Sequence, residues 1–466
     1  MTPDEFRRHG HALVDWVAGY WSELERCRIT PDAPPGAVAA LLPAGPPERG
    51  DGFAGLTDDL DRIVVPHLTH WQHPGFFAYF PANTSGPSVL ADLVCAGLGT
   101  QGMLWSTGPA CTELETTVLD WLADLLDLPA AFRSTGTGGG VIQDSASSAT
   151  LVATLVALHR VSGGRWRQSG VDGRATVYTS TQGHSSIEKA ARIAGLGDDA
   201  VRTVDVDDGF AMRPEALRAA LDADRAAGRT PALVVATVGT TSTTAVDPLA
   251  AIGGICREYG VFLHVDAAYA GSAAVCPELR WVHSGLEHAD SYCFDPHKWL
   301  LTGFDCDAFW VADRAELIQA LTVLPEYLRN AATESGAVID YRDWHVPLGR
   351  RFRALKLWFV MRWYGTEGLR GHIRSGVALA DRFAEWVAAD ERFEIVAPHP
   401  FSLVCFRLRG PDGPNEDLLR RVNATGQAYL THTRVGGRYV LRLAVGSPQT
   451  EERHVASTWK LISDLA

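Results

Sequence analysis

Between about Gly86 and Asp305 this chain alternates helical stretches with short runs that are apolar on both sides, and that alternation constrains its fold more than any other feature. Ala175-Thr176-Val177-Tyr178, Ala232-Leu233-Val234-Val235-Ala236 and Val261-Phe262-Leu263-His264-Val265 read as strands without a polar face. Thr150 to His159 and Pro214 to Ala227 read as helices interleaved with them. A strand apolar on both faces must be covered on both, and strands joined through helices run parallel. The expected core is an α/β domain around a mostly parallel sheet.

The chain has 466 residues, more than one ordinary core organises. Three parts are expected: an N-terminal helical segment over 1–85, a large α/β domain over 86–352 and a small α+β domain over 353–466. In the first, Glu5 to Trp21 sets Phe6, Leu13, Trp16, Val17 and Tyr20 near helical spacing, an amphipathic helix with an aromatic face. The Pro/Gly-rich connector Pro31 to Pro47 follows it, so the helix is expected to pack beyond its immediate neighbours, with a second subunit as candidate. Leu324 to Asp343 is a polar stretch with the length and composition of a mobile functional loop. Helices are expected over Ala354 to Tyr364 and Ile373 to Ala388, then strands at Ser402-Leu403-Val404-Cys405-Phe406 and Tyr439-Val440-Leu441-Arg442-Leu443.

Charge and cysteine usage narrow the function. A net charge of -13 disfavours nucleic acid and anionic membrane as partners. The one basic run, Arg350-Arg351-Phe352-Arg353, reads as a solvated helix start. Eight cysteines are scattered without a C-x-x-C pair or metal-ligand spacing, so no metal is expected, and they read as thiols of a reducing compartment. No secretory signal is apparent, and no apolar stretch approaches the ~20 residues that span a bilayer. A soluble cytoplasmic protein is expected.

Ligands of parallel sheets sit beyond the carboxyl ends of the strands, and four segments would converge there. Val141-Ile142-Gln143-Asp144-Ser145-Ala146-Ser147 runs directly into a helix, where hydroxyls and free N–H groups suit a phosphate, although Ser145 or Ser147 could simply cap that helix. The glycines from Gly136 to Gly140 match neither the P-loop nor the dinucleotide fingerprint. Asp266 ends a very apolar strand and needs a cationic partner or several donors, unless it caps the next turn. Lys298, in Asp295-Pro296-His297-Lys298-Trp299, sits among apolar and aromatic neighbours. Burial there would lower its pKa from about 10.4 and favour a neutral nucleophile, the alternative being a snorkelling lysine. His184 follows the Tyr178 strand, and its planar ring can stack on an aromatic cofactor or donate a proton.

These four segments, in this order, resemble the group II pyridoxal-phosphate (PLP)-dependent decarboxylases, most closely the aromatic-L-amino-acid decarboxylase branch. The resemblance runs nearly end to end. It includes His70-Trp71, Phe77-Ala78-Tyr79-Phe80-Pro81, Pro109-Ala110-Cys111-Thr112-Glu113-Leu114-Glu115 and Val238-Gly239-Thr240-Thr241. It continues through His264 to Gly271, Pro296 to Leu301 and Pro347-Leu348-Gly349-Arg350-Arg351-Phe352-Arg353. It implies the fold-type-I, aspartate-aminotransferase-like architecture as a homodimer with active sites at the subunit interface. The reaction implied is an aromatic L-amino acid going to its arylalkylamine and carbon dioxide.

By the same resemblance, Lys298 would carry PLP as a Schiff base, Asp266 would pair with the ring nitrogen and His184 would stack on the ring. Ala146 and Ser147 would serve the phosphate with His297 nearby, Thr241 would support the cofactor, and Ala268 and Asp295 complete the cofactor set. Tyr327 on the loop would return a proton to the substrate carbon. Trp71, Tyr79, Phe80, Ala82, Gln101, Met103, His184 and Gly349 would face the substrate.

Three departures stand out. Asp295 replaces an Asn that ligates phosphate in the animal enzymes, and an acid there would repel phosphate unless it turns to another donor. Ala82 replaces a threonine, and Gln101 and Met103 replace an Ile and a Phe that the partner subunit contributes. Gly349 matches a glycine that accompanies indolic substrates in plant members and so tips the balance toward tryptophan-like rings. The rival activity in the family is an aldehyde synthase, which decarboxylates and oxidatively deaminates; the presence of Tyr327 and His184 favours the decarboxylase. Retention of Lys298, Asp266 and Tyr327 argues against a non-catalytic binding protein of the same fold.

Overall fold

The strands form where the sequence offers unbroken apolar, β-branched runs. In a computed structural model, which describes residues 1–50, 52–80, 82–323 and 338–466, they build two sheets. The larger holds β1 (Gly139–Gln143), β2 (Ala175–Ser180), β3 (Val201–Val204), β4 (Thr230–Thr237), β5 (Phe262–Asp266), β6 (Ser291–Phe294) and β7 (Asp307–Val311), in the order β1-β7-β6-β5-β4-β2-β3. From β3 to β6 the neighbours are parallel; β7 runs antiparallel to both β6 and β1. The α/β fold with a mostly parallel sheet is as expected.

Both faces of this sheet are covered. Along β4, Val234 and Ala236 enter one apolar cluster while Leu233 and Val235 enter another on the opposite side. On β5, Leu263 and Val265 enter the first and Phe262 the second. Each such large side chain, fully buried, contributes roughly 1.5–3 kcal/mol, which is why a polar residue at a strand end needs a specific partner. The helix Ala146–Ser162 lies in the second layer, with Ala149, Val152, Ala153 and Val156 against the strands.

The smaller sheet is antiparallel, in the order β10-β11-β9-β8, with β8 (Phe393–Ile395), β9 (Leu403–Leu408), β10 (Thr431–Val435) and β11 (Arg438–Ala444). The two helices expected before it join as Ala354–Ala389, broken at Gly365, whose φ of 62° and ψ of 178° only glycine adopts without strain. A segment near the N-terminus ties the sheets together. Phe77 N–H donates to the Tyr429 carbonyl, Ala444 N–H to that of Phe77, and Asn83 N–H to that of His297. Tyr79 and Phe80 are thereby held where both sheets meet.

The first helix, Pro3–Glu23, carries a capping box in which Thr2 and Glu5 exchange hydrogen bonds, and none of its residues is buried. The basic run corrects the sequence reading. Arg350 is buried rather than solvated, with Nη2 2.6 Å and Nη1 3.0 Å from the Glu115 carboxylate and its guanidinium 4.8 Å over the Tyr341 ring. Arg353 pairs with Asp305, and only Arg351 stays exposed in the run. The partner of Arg350 lies 235 residues away, beyond the reach of local charge pattern.

Candidate active site

Five strands deliver their carboxyl ends to one edge of the large sheet, and the residues following them line a cleft of about 390 Å³. Ser145, Ala146 and Ser147 follow β1, and His184 follows β2. Gly239 and Thr241 follow β4, Asp266 and Ala268 lie at the end of β5, and Asp295, His297 and Lys298 follow β6. The opposite wall brings Trp71, Tyr79 and Phe80, with Arg442 from β11.

Asp266 is buried as the last residue of β5, and the one hydrogen bond to its carboxylate among the described residues comes from Ala268 N–H at 3.0 Å. The turn-capping role is thus present, but it satisfies little of a carboxylate. Burial pushes the Asp266 pKa up, against the nearby Lys298 charge, the Ala268 N–H and His184. A cation brought within reach would reverse that.

Lys298 corrects a second expectation. Burial disfavours its ammonium, but Asp295 stands 2.7 Å from Nζ, and that carboxylate together with Asp266 outweighs burial and raises the lysine pKa. Apolar neighbours alone suggested the opposite. Asp295 is buried too. Burial pushes its pKa up, yet the charges of Lys298 and His297 and a hydrogen bond from Lys298 hold it below the ordinary carboxylate range. It also accepts from Ala146 N–H at 3.1 Å, so the acid has turned to other donors, one of them at the helix start.

Ser145 does not cap that start; the side chain that reaches it is Asp295, through Ala146 N–H. Ser145 takes the N-cap backbone conformation (φ -158°, ψ 158°) with no capping hydrogen bond, and its hydroxyl faces Asp144. The hydroxyl of exposed Ser147 lines the cleft beside it. A helix N-terminus of this kind favours an anion.

His184 opens onto the cleft. Ser186 N–H donates to its Nδ1 at 3.2 Å, so in the neutral ring the proton sits on Nε2. Loss of water around the ring lowers its pKa; Asp266 opposes this and Lys298 adds to it. His297, buried, takes Cys306 N–H on Nδ1 at 3.0 Å and turns Nε2 toward Asp295, 3.8 Å away.

Aromatic rings close the other side. Trp71 stacks on Tyr79 at 5.4 Å between centroids, Phe80 stacks on Tyr269 at 3.8 Å, and Arg442 lies over Phe80 at 5.4 Å. Arg442 is anchored by the carbonyls of Thr241 and Ser242 at 2.7 and 3.2 Å. Tyr269, Arg442, Phe304, Thr237 and Gly239 line the cleft without having been singled out in the sequence. Two carried a signal: an arginine inside the apolar run Tyr439 to Leu443, and a glycine at Gly239, where a Cβ would stand 2.4 Å from that of Ala270.

The remaining sequence candidates lie elsewhere. Tyr327, with most of the stretch from Leu324 to Asp343, is outside the described residues. Ala82, whose carbonyl accepts from the Gln72 amide, is not among the residues lining the cleft. Gln101, Met103 and Gly349 gather in a separate unit of the same chain. Gln101 Oε1 accepts from Arg350 N–H at 2.6 Å, Met103 O from Arg342 N–H at 3.1 Å, and a Cβ on Gly349 would come 3.2 Å from Gln101 Nε2.

The cleft therefore offers a lysine, an under-satisfied buried carboxylate, a histidine free to stack and a helix start that its own N-cap serine does not cap. That donor set fits a planar, cationic heteroaromatic ring bearing an aldehyde and a phosphate, as PLP does. Comparison with known proteins agrees. Residues 35–409 match the family described as the pyridoxal-dependent decarboxylase conserved domain. The chain is 46% identical over 474 residues to the aromatic-L-amino-acid decarboxylase of Mus musculus, covering all of this chain and 98% of that one. It is 45% identical over 477 residues to phenylacetaldehyde synthase of Arabidopsis thaliana, covering all of this chain and 96% of the other. Among solved structures, Oryza sativa TDC with PLP and tryptamine superposes with a TM-score of 0.96 at 43% identity, covering 100% of this chain and 98% of that one. With a half-buried lysine, a buried carboxylate and a helix start meeting at one sheet edge, the chain belongs to the pyridoxal-dependent decarboxylase family and is a PLP-dependent carboxy-lyase.

Proposed function

We propose that this enzyme converts an aromatic L-amino acid of the tryptophan, DOPA, tyrosine or phenylalanine type to its arylalkylamine and carbon dioxide. The observation that carries the reading is that Lys298, Asp266 and His184 share one cleft with the stacked rings of Trp71, Tyr79, Phe80 and Tyr269. Lys298 would hold the cofactor covalently through Nζ, which Asp295 keeps in place 2.7 Å away. Asp266 takes the cationic ring nitrogen and keeps its proton there. Bound PLP supplies the electron sink that accepts the pair left when the carboxylate departs. His184 stacks on the ring with its proton on Nε2, and the start of Ala146–Ser162 holds the phosphate with Ser147, near His297 and Thr241. The aromatic wall orients the substrate side chain and excludes water. Tyr327 is the acid that returns a proton to the substrate α-carbon.

A homodimer is part of the proposal. The face of Pro3–Glu23 that exposes Phe6 and Val14, and the helix Gly86–Leu98 with Leu90, Leu93, Val94 and Leu98 exposed, leave apolar surface suited to a second copy. Gln101, Met103 and Gly349, which do not line their own subunit's cleft, are then the residues each subunit offers its partner's substrate. A cytoplasmic location is supported by eight unpaired cysteines, most of them buried. No described helix is long and apolar enough to cross a membrane.

The second reading, an aldehyde synthase, is favoured by the near-equal likeness to the Arabidopsis thaliana protein. One assay separates the two. Purified enzyme with PLP is given phenylalanine, tyrosine, DOPA and tryptophan in turn, with amine, aldehyde and oxygen uptake measured in parallel. Amine without oxygen uptake is expected, and Tyr327→Phe should shift the product toward aldehyde. Aldehyde with oxygen consumption from the parent enzyme would establish the second reading instead. Borohydride trapping of the same preparation should label Lys298, and a label on another lysine would refute the assignment.

A further inference from the structure

Behind Asp295 lies a carboxyl group that the proposed reaction does not use. Asp307 opens β7 and is fully buried, and neither of its oxygens finds a hydrogen-bond donor among the described residues. The group facing it is a second carboxyl, that of Asp295. The register explains why. Phe294 on β6 pairs with Ala308 on β7, and the next antiparallel pair sets Asp295 opposite Asp307, while Gln143 of β1 flanks Asp307 on its other side. Two buried carboxyls this close hydrogen-bond only when one of them is protonated, because two ionised ones repel in a medium that screens little.

Which of the two holds the proton follows from their surroundings. Donors converge on Asp295: the Lys298 ammonium at 2.7 Å, Ala146 N–H at 3.1 Å and the His297 ring at 3.8 Å. Nothing comparable reaches Asp307. The other titratable groups around it are Asp266 on β5, Tyr292 and Cys293 on β6, and Cys306 just before β7. Burial and Asp295 push its pKa well up, and among the described residues Lys298 is the charge that opposes them. We propose that Asp307 is a positioning residue of the cofactor cleft, a protonated acid that donates to Asp295 and so fixes the carboxylate on which Lys298 rests. The charge count requires it. With all three acids ionised, the floor would set Asp266, Asp295 and Asp307 against the single ammonium of Lys298. With Asp307 protonated, two negative charges face that ammonium and the ring nitrogen that Asp266 is to receive.

This rests on the reading of the cleft as the cofactor's, but its test does not depend on the reaction. The full chain, purified with PLP and labelled with carboxyl-13C aspartate, is examined at neutral pH by infrared difference spectroscopy for the carbonyl stretch of a protonated aspartic acid. The parent should show the band, and Asp307→Asn should lose it. Asp295→Asn should lose it too, because an amide at 295 donates to Asp307 and lets it ionise beside Lys298. PLP affinity supplies the second readout. Asp307→Asn, which still donates, should bind close to the parent, whereas Asp307→Ala should lose at least about tenfold, the worth of one hydrogen bond to a charged group. Absence of the band in the parent, or its survival in both Asn variants, overturns the assignment and leaves the proposed decarboxylation standing. Equal affinity of parent and Asp307→Ala overturns the positioning role.

Discussion

Replacing Arg350 by Met should be among the most damaging single changes outside the cleft. Arg350 and Glu115 are each only 3% exposed at the side chain, so neither charge has recourse to water. Two N–H groups of Arg350 reach the Glu115 carboxylate, at 2.6 and 3.0 Å, and one also reaches the Ile142 carbonyl at 3.0 Å. Arg350→Met leaves Glu115 with the Ile142 N–H, at 2.8 Å, as its remaining close donor. Stranding a buried carboxylate in this way costs about 3–5 kcal/mol, while replacing both partners by apolar residues is often neutral. Arg350→Met should therefore raise the unfolding constant by about two to three and a half powers of ten, and the double variant Glu115→Leu/Arg350→Met should recover most of it. The assay is urea unfolding of parent, both single variants and the double at one fixed protein concentration, so that the proposed subunit association weighs equally in each. A single-variant loss below about 1 kcal/mol, the scale of a surface pair, would refute the argument. So would a double variant as unstable as the summed singles. The effect should reach the cleft, because Ile142, to whose carbonyl Arg350 donates, lies three residues before Ser145, the first of the residues after β1 that line it. Arg350→Met should accordingly release PLP more readily than the double variant does.

Asp266→Asn should retain some cofactor yet lose at least ~100-fold in turnover, the scale of removing one preorganised electrostatic group; near-parent turnover with PLP bound would show that the pairing is not catalytic. Gly349→Ser brings a Cβ to 3.2 Å from Gln101 Nε2, a flexible side-chain end that can give, so the fold should survive. The ratio of kcat/KM for tryptophan to that for DOPA should change by roughly tenfold, and an unchanged ratio would place discrimination elsewhere. Asp247, buried and accepting from Met212 and Thr237 N–H groups at 2.7 Å each, is pushed by burial to about 6. Between about pH 4 and pH 6 the native state therefore keeps a proton that the unfolded chain has released, so this contribution to stability is complete at low pH and is lost as pH rises through the folded value. Relative to Asp247→Asn, the parent should lose about 1.4 kcal/mol per pH unit over that window, read from urea midpoints; a flat difference would refute it.

The sheet was legible because burial on both faces writes itself into the sequence as unbroken apolar runs, and β4 and β5 fall within a residue or two of their expected bounds. The direction of β7 was not. The chain passes from Phe294 to Asp307 through one helical turn, Pro296–Trp299, which is too little to carry it back along the face of the sheet, so β7 returns antiparallel. No local pattern in Asp307–Val311 marks that reversal. The break at Gly365 was legible as the gap between two helical stretches, since a glycine with positive φ needs no partner elsewhere in the chain.

Residue types at the cleft were legible, and charge states were not, for a reason that Lys298 and Arg350 share. Position at a strand end is a local property, so Asp266, His184 and Lys298 could each be singled out from the segment that carries it. Whether a buried cation keeps its proton or its solvent depends on the nearest anion, and apolar neighbours say nothing about where that anion is. For Arg350 the anion is Glu115, brought in by a distant helix, and no run of adjacent residues announces it. For Lys298 it was in view: Asp295 stands three residues earlier, at the N-cap of the same helical turn, where side chains three apart meet. A carboxylate 2.7 Å away outweighs the burial that the aromatic setting imposes. Asp295 therefore favours the ammonium form of the lysine, and the acid that would be a liability beside a phosphate is instead the group on which, under the proposed function, Lys298 rests before it holds the cofactor.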